Sequence, residues 1–458
     1  MAHLTYFNTF EEYNDYKNGE TYVEPNITYC LETKKVYFDA EFIPTIEAVF
    51  TTTQANEVVK LAKSIDEITE IRIDDDVVIQ PTSIYTFETA GEHKVEYMFF
   101  DYGIVPKSVF YDLPNLTKVD FSTVNAIGAG NVNSCSGVTT LGTDTFNFDI
   151  SDGCFISVNE TQYTKLTVNG NIGSNTLSFS STSCSITDIE INGDVNNANL
   201  CNLKTVTGLT INGSVIGGGN FSNTRCIKSF ELNGNLVSGG NYIYGDENLD
   251  AICKITGNII GGGNGFYSGG TITVDGNVTS GGVTLSGRRI NILGSLTSGY
   301  SNYSGLTLSQ EDSSIIHIYG NVEYYNGFYC NELIIDGNAM GINGNISGTC
   351  TIGGDIANSC NNMPFLTSVT IGGSISGGCF TGSTNTLSEI NLTGDCQYIN
   401  SLPTAPSEVN VRISTTTPPT LNTVLTSIHK IYVLAEVLET YKTTGNWATY
   451  ADQIFAME

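Results

Sequence analysis

The sequence predicts an all-β chain: a parallel β-solenoid with coils of about 20 residues, a small β-domain before it and an α/β cap after it. Three observations carry that expectation. The 458 residues are 40% hydrophobic but only 14% charged, so they lack the charged outer faces that amphipathic helices need. Glycine occurs 49 times among abundant Asn, Ser and Thr, a composition suited to short strands joined by tight turns. One short pattern recurs twelve times between about residues 166 and 396.

Copies of that pattern include Leu166-Thr-Val-Asn-Gly170-Asn-Ile172, Ile189-Glu-Ile-Asn-Gly193-Asp-Val195, Phe230-Glu-Leu-Asn-Gly234-Asn-Leu236 and Ile272-Thr-Val-Asp-Gly276-Asn-Val278. The anchoring glycines are Gly170, Gly193, Gly213, Gly234, Gly257, Gly276, Gly294, Gly320, Gly337, Gly354, Gly373 and Gly394, spaced 17 to 26 residues apart. Two residues before each glycine stands Val, Ile or Leu, and four before stands an aliphatic residue, Phe or Cys. Such alternation is the period of a strand with one buried face. The glycine is expected to supply a bend closed to any Cβ. The Asn, Asp or Ser that follows it can bond the turn backbone. The residue after that is apolar in every copy.

A single unit cannot bury its apolar face alone. Stacked at about 4.8 Å, twelve coils make a rod roughly 55 Å long, with the Asn, Asp and Ser residues in a ladder along one edge. Length variation belongs in the loop opposite the strand, where it costs little. The glycine-rich stretches Gly217-Gly-Gly-Asn220 and Gly261-Gly-Gly-Asn-Gly265 lack the regularly placed Asp of calcium-binding repeats. No Gly-Lys-Ser/Thr follows them, so they are not phosphate loops.

A net charge of −28, from 47 acidic and 19 basic residues, argues against nucleic acid as a partner. The opening residues show no basic, apolar and small-residue succession of a signal peptide, so synthesis and folding in a reducing cytoplasm are expected. No apolar run approaches the roughly 18 residues of a membrane span. The twelve cysteines are irregularly spaced without a C-x-x-C pair. Cys253 and Cys350 fall on strand positions held elsewhere by Ile, Leu or Val, which marks them as reduced core residues rather than disulfide or metal ligands.

Several strands carry more of a known motif. Leu113-Pro-Asn-Leu116-Thr-Lys-Val119-Asp-Phe121, followed by Val124-Asn-Ala-Ile127-Gly128, is similar to the BspA-like leucine-rich repeat. Leu366-Thr-Ser-Val369-Thr-Ile371 and Leu387-Ser-Glu-Ile390-Asn-Leu392 look like the same unit. Pro418-Pro419-Thr-Leu421, Ile431-Tyr-Val433, Tyr441-Lys and Asn446-Trp447-Ala-Thr-Tyr450-Ala-Asp-Gln-Ile454 resemble that family's closing proline, strand and helix. Tyr85-Thr-Phe87-Glu-Thr-Ala-Gly91-Glu-His-Lys-Val95-Glu-Tyr97 resembles the small β-domain that often precedes such repeats. Tyr22-Val-Glu-Pro25-Asn-Ile27-Thr-Tyr29 with Val36-Tyr-Phe38 is similar to the opening of fibre-like proteins of crAss-like phages of Bacteroidota. The central copies differ from the repeat family in their Gly-[Asn/Asp/Ser] turn and uneven lengths.

Four regions follow: residues 1–45, an aromatic and acidic attachment segment; 46–108, a small β-domain with Val95, Tyr97 and Phe99 on one face; 109–400, the solenoid; and 401–458, the cap. Ala435–Lys442 is the best helix candidate, and the sole tryptophan, Trp447, is expected to cover the last open coil. The histidines, His3, His93, His317 and His429, fall in different regions, so neither a catalytic constellation nor a metal or cofactor site is expected. His317, between Ile316 and Ile318, should point outward. Asp74-Asp75-Asp76 reads as a solvated hairpin turn. Asp194, Asp355 and Asp395 are ladder positions, and Asp275 and Asp336 flank glycines, so no carboxylate pair stands out for polysaccharide cleavage.

The resemblance implies a non-enzymatic virion protein: a head or tail fibre, or a decoration, bound to other virion proteins through residues 1–45. The exposed solenoid would meet host proteins or glycans. Rods of low charge density with exposed Tyr and Asn loops favour a homotrimer. The alternatives are a secreted or cell-surface BspA-like adhesin of a Bacteroidota bacterium and a polysaccharide-degrading solenoid enzyme.

Overall fold

The computed structural model describes the strands 3–7, 26–30 and 35–39 and, from residue 46, all but residues 76, 102, 136, 156–163, 175–186, 198–205, 218–224, 238–241, 246–251, 262–264, 268–269, 280–283, 298–313, 359–362, 364, 378–385, 403–408 and 426–427. About 50% of the chain is strand and 6% helix, and its main feature is a parallel β-solenoid of about 12 turns. Two compact units divide it, Met1–Ile186 and Thr187–Glu458.

In the first unit, His3–Phe7 pairs parallel with Asn26–Cys30, which pairs antiparallel with Lys35–Asp39. Phe10, Tyr13, Tyr16 and Tyr22 of the aromatic segment lie outside the described residues. A five-stranded antiparallel sheet then runs in the order Leu116–Asp120, Ile46–Thr52, Gly91–Phe99, Ile68–Ile73, Val77–Ile79. Val95, Tyr97 and Phe99 are buried on one face, as the alternation predicts. The sheet runs past residue 108. Leu116–Asp120, the strand of the leucine-rich-repeat-like motif, pairs antiparallel with Ile46–Thr52 on one edge, while Lys118 bridges Thr140 in parallel on the other. Parallel coil contacts follow at Ile104↔Ala126, Ile127↔Ile150↔Ile172 and Thr145↔Thr167.

In the second unit one inward column runs in register from Ile189 through Leu209, Phe230, Cys253 and Ile272 as far as Ile454. Val195, Val215, Leu236, Ile259 and Val278, two residues after their glycines, form a second buried column. These short strands are buried on one face and repeat because each coil reuses the same apolar positions. The two coils with the shortest spacing, 17 residues each, run almost wholly as strand. There Val322–Ile335 and Ala339–Ile352 are strands of 14 residues each, turned at Tyr324 and Gly341 and paired in parallel, with shifts of register between Asn326 and Phe328 and between Cys330 and Glu332.

The chain bends at the motif glycines, as expected, but glycine is required there for a reason other than a left-handed backbone. They are absent from the positive-φ residues. A Cβ on Gly213, Gly234, Gly257 or Gly276 would instead strike the carbonyl of the equivalent glycine one coil earlier. The left-handed corner comes four residues later, at Asn197 (φ 49°), Gly217 (82°), Gly261 (98°), Tyr324 (52°), Gly341 (64°) and Asn358 (56°). Gly and Asn are the residues that reach this region most cheaply.

The cap is a 3-10 turn, Ala435–Val437, a short α-helix, Leu438–Thr443, and a second 3-10 segment, Gly445–Gln453, so the helical stretch runs further than Ala435–Lys442. Trp447 is buried, donates its indole N–H to the Pro419 carbonyl at 2.7 Å and meets Tyr441 edge-on at 5.4 Å. Tyr441 and Thr415 share a hydroxyl–hydroxyl bond of 2.6 Å. The final strand, Ile454–Ala456, completes the last rung on Ile428–Val433. The apolar end of the coil stack is thereby covered, as a terminal repeat requires.

Candidate functional site

From Gly193 to Gly373 the residue after the motif glycine points its side chain along the stack and accepts a backbone N–H of the next coil. In the second unit this runs from Asp194 to Ser214, Asn235, Asn258, Asn277, Ser295, Asn321, Asn338, Asp355, Ser374 and Gln397, at 2.6 to 3.2 Å. Asn, Asp and Ser interchange here because each offers one oxygen at the same reach. The first unit shows the same bond from Asn171 to Asp149 at 2.7 Å. Asp395 does not carry the last link. Ser374 Oγ instead accepts the Gln397 N–H, two residues further on, past a local bond from the Cys396 N–H to the Gly394 carbonyl at 2.8 Å and before the chain pairs again at Tyr398–Ile399. A second, exposed ladder joins Asn192, Asn212 and Asn233 through their amides at 2.7 Å.

That second column, one residue before each glycine, is the outward edge of the lateral face. It continues through Asp275, Leu293, Tyr319, Asp336, Gly353 and Gly372, each N–H bonding the preceding coil at 2.7 to 2.9 Å. The neighbouring outward column reads Lys254, Thr273, Asn291, His317, Ile334 and Thr351 in register. His317 points outward as expected. Its ring stacks on Tyr319 with centroids 3.8 Å apart, and its Nε2 lies 3.0 and 3.1 Å from the two oxygens of Asp336. Lys254 lies 3.7 Å from Asp275. Tyr319 and Leu293 remain 47% and 45% exposed. Sequence reasoning placed Asp275 and Asp336 as glycine flanks but missed the patch between them. The signal was present: in a column of Asn, Thr, Asp and Gly, Leu293 and Tyr319 are the bulky exceptions.

His93 is buried in the small sheet, stacked on Phe87, with Nδ1 2.9 Å from Asp74 Oδ2 and Nε2 3.1 Å from the Thr89 carbonyl. Asp74 and Asp75 are exposed with positive φ, as a hairpin turn predicts, and Asp74 also accepts the Lys94 N–H at 2.9 Å. Asp76 lies outside the described residues. His429 is exposed on the Ile428–Val433 strand. Among the described residues no group of three His, Cys, Asp or Glu side chains is placed to hold a metal ion.

Cys135, Cys154, Cys253, Cys330, Cys350 and Cys396 are all buried thiols. Burial pushes Cys330 up to about 12 and Cys135, Cys154 and Cys396 up to about 11, so these thiols stay protonated at neutral pH. Cys184, Cys201, Cys360 and Cys379 lie outside the described residues. No described helix is long and apolar enough to cross a membrane.

Compared with known proteins, the chain matches no family model, and no curated protein is similar enough to count as a relative.

Proposed function

We propose that the protein is a structural virion component of a bacteriophage, a fibre or decoration held on the particle by residues 1–45, whose coils face host or glycan surfaces. The observation that carries this reading is the unbroken side-chain ladder from Asp194 to Gln397, in which each coil is tied to the next. Such an array is a rigid, repetitive scaffold. Among the described residues its lateral face offers columns of side chains rather than convergent acid–base groups, which fits adhesion better than turnover. The acidic excess of −28 keeps copies apart until specific contacts form.

A chain beginning at residue 46 should fold but fail to enter particles, while the full chain enters. Normal incorporation of the shortened chain removes the attachment reading. Recovery of the full chain on a bacterial envelope, and not on particles, favours the adhesin. Light scattering should give three chains per assembly; a monomer at working concentration contradicts the trimer.

A further inference from the structure

We infer that the outward coil face around Tyr319 binds an uncharged saccharide, with Tyr319 and Leu293 as the apolar floor and Asp275 and Asp336 as hydroxyl acceptors at its ends. The inference rests on the reading of the coils as an exposed adhesive scaffold, and adds the place and the ligand chemistry.

The floor is not demanded by the fold. The column one residue before the motif glycine faces away from the core, and Asn192, Asn212, Asn233 and Thr256 fill it with small polar groups. Leu293 and Tyr319 then follow each other on adjacent coils, both close to half exposed. Adjacent coils are about 4.8 Å apart, so Asp275, Leu293, Tyr319 and Asp336 span roughly 14 Å along the stack. Apolar groups held side by side in water, rimmed by polar ones, mark contact surfaces. Beyond Asp336 the column is bare backbone, at Gly353 and Gly372, which leaves that end open.

The patch is also preorganised. One face of the Tyr319 ring lies on His317 at 3.8 Å and 20°, and His317 is itself held by both oxygens of Asp336. A ring fixed in this way loses little freedom when a ligand covers its other face. The C–H face of a pyranose is flat and apolar, while its rim carries hydroxyls. Stacking on an aromatic ring beside carboxylate acceptors satisfies both sides of that chemistry. A carboxylate has about four lone-pair sites, so the contacts with His317 and Lys254 leave acceptors for hydroxyl groups.

Charge selects the class of saccharide. Neither carboxylate is unpartnered: Asp275 faces Lys254 at 3.7 Å, and Asp336 is hydrogen-bonded to His317 Nε2 at 3.0 Å. The patch is therefore not a bare anionic site seeking a cation. A chain of net charge −28 repels uronate and sulfated polymers at long range. A neutral hexose or N-acetylhexosamine chain is the class that fits both facts.

The test uses the full chain, titrated with neutral gluco-, manno-, galacto- and N-acetylglucosamine oligomers, and with a heparin-type polymer and an oligolysine for comparison. At least one neutral oligomer should bind, Tyr319→Ala should weaken it at least tenfold, and Tyr319→Phe should retain most of it. Melting temperatures should stay unchanged because the side chain is outside the core. Binding of a neutral oligomer that ignores Tyr319→Ala overturns the site and leaves the adhesive reading standing. Binding only of the sulfated polymer, only of oligolysine, or of nothing in the panel overturns the saccharide class. The virion reading fails separately, through particle incorporation, which Tyr319→Ala should not alter.

Discussion

In the small antiparallel sheet, Tyr97 donates its hydroxyl to the Leu61 carbonyl, 36 residues away, and His93 is held between Asp74 and Thr89. In the coils, Asn258 donates to Asn235 and accepts from Asn277, its own equivalents one coil to either side. The two regions bury similar aliphatic side chains, yet their partners are found by different rules. In the sheet each polar contact is unique and leaves no echo in the sequence. In the coils a contact is a column, so any departure from the column's residue type stands out. A sheet of the first kind depends on a few irreplaceable groups. A coil array spreads its stability over many small, nearly equal terms linked to nearest neighbours.

The motif glycines are the exception to that even spread, and they should give the largest effect. A side chain on Gly234 would meet the Gly213 carbonyl and push two coils apart. Gly234→Val should cost at least about 3 kcal/mol, the upper range for overpacking. A melting temperature equal to that of the parent would remove the close-approach argument. Alkaline pH should come next. Burial raises the Cys330 thiol to about 12, so unfolding lets it ionise at its ordinary, lower value. Its contribution is complete below the ordinary thiol pKa and is lost as pH rises towards 12, by about 1–2 kcal/mol at pH 10. Denaturant titrations read by Trp447 fluorescence at pH 7 and pH 10 should show the loss, and Cys330→Val should lessen it.

The coil register, both buried columns and the sealing role of Trp447 were legible because apolar residues at fixed distances from a glycine admit one stacked arrangement. The glycine's reason was not legible. A sequence shows that a Cβ is excluded, but a positive φ and a neighbouring backbone exclude it equally well. The corner four residues later was visible only as scattered Gly and Asn, and Tyr324 hides it in one coil. Leu116–Asp120 reads as a repeat strand, yet its second edge pairs with Ile46–Thr52, since alternation reveals a buried face and not a partner. The patch was missed: Leu293 and Tyr319 break their column's residue type in the sequence, but their exposure and the stacking of Tyr319 on His317 needed the fold.

Within the small sheet, Tyr97→Phe should cost about 1.5 kcal/mol, because the buried Leu61 carbonyl would lose its hydroxyl partner. Chemical denaturation of the parent and the variant would measure this. A neutral result would mean that water or a shift of Leu61 replaces the bond, and the contrast with the coils would weaken.

The smallest effect is also the sharpest test of the column rule. Asn258 accepts the Asn277 N–H at 2.8 Å and lies 3.3 Å from Asn235 through its amide nitrogen. Asn258→Ala removes both bonds and should cost about 1 kcal/mol. Asn258→Ser should recover most of that loss, because Ser214, Ser295 and Ser374 already accept the next coil's N–H at 2.9 to 3.2 Å. An unrelated polar contact of the kind found in the small sheet would not be rescued this way, since a shorter side chain would fall short of its one partner. The two substitutions, compared by midpoint of urea denaturation at equal slope, therefore separate the readings. If Ser and Ala lose the same amount, the ladder is a geometric coincidence and the coils are held by apolar stacking and backbone pairing alone. If Ser stands close to Asn, the columns are interchangeable parts, and the stability of any coil follows from the residue type at each position.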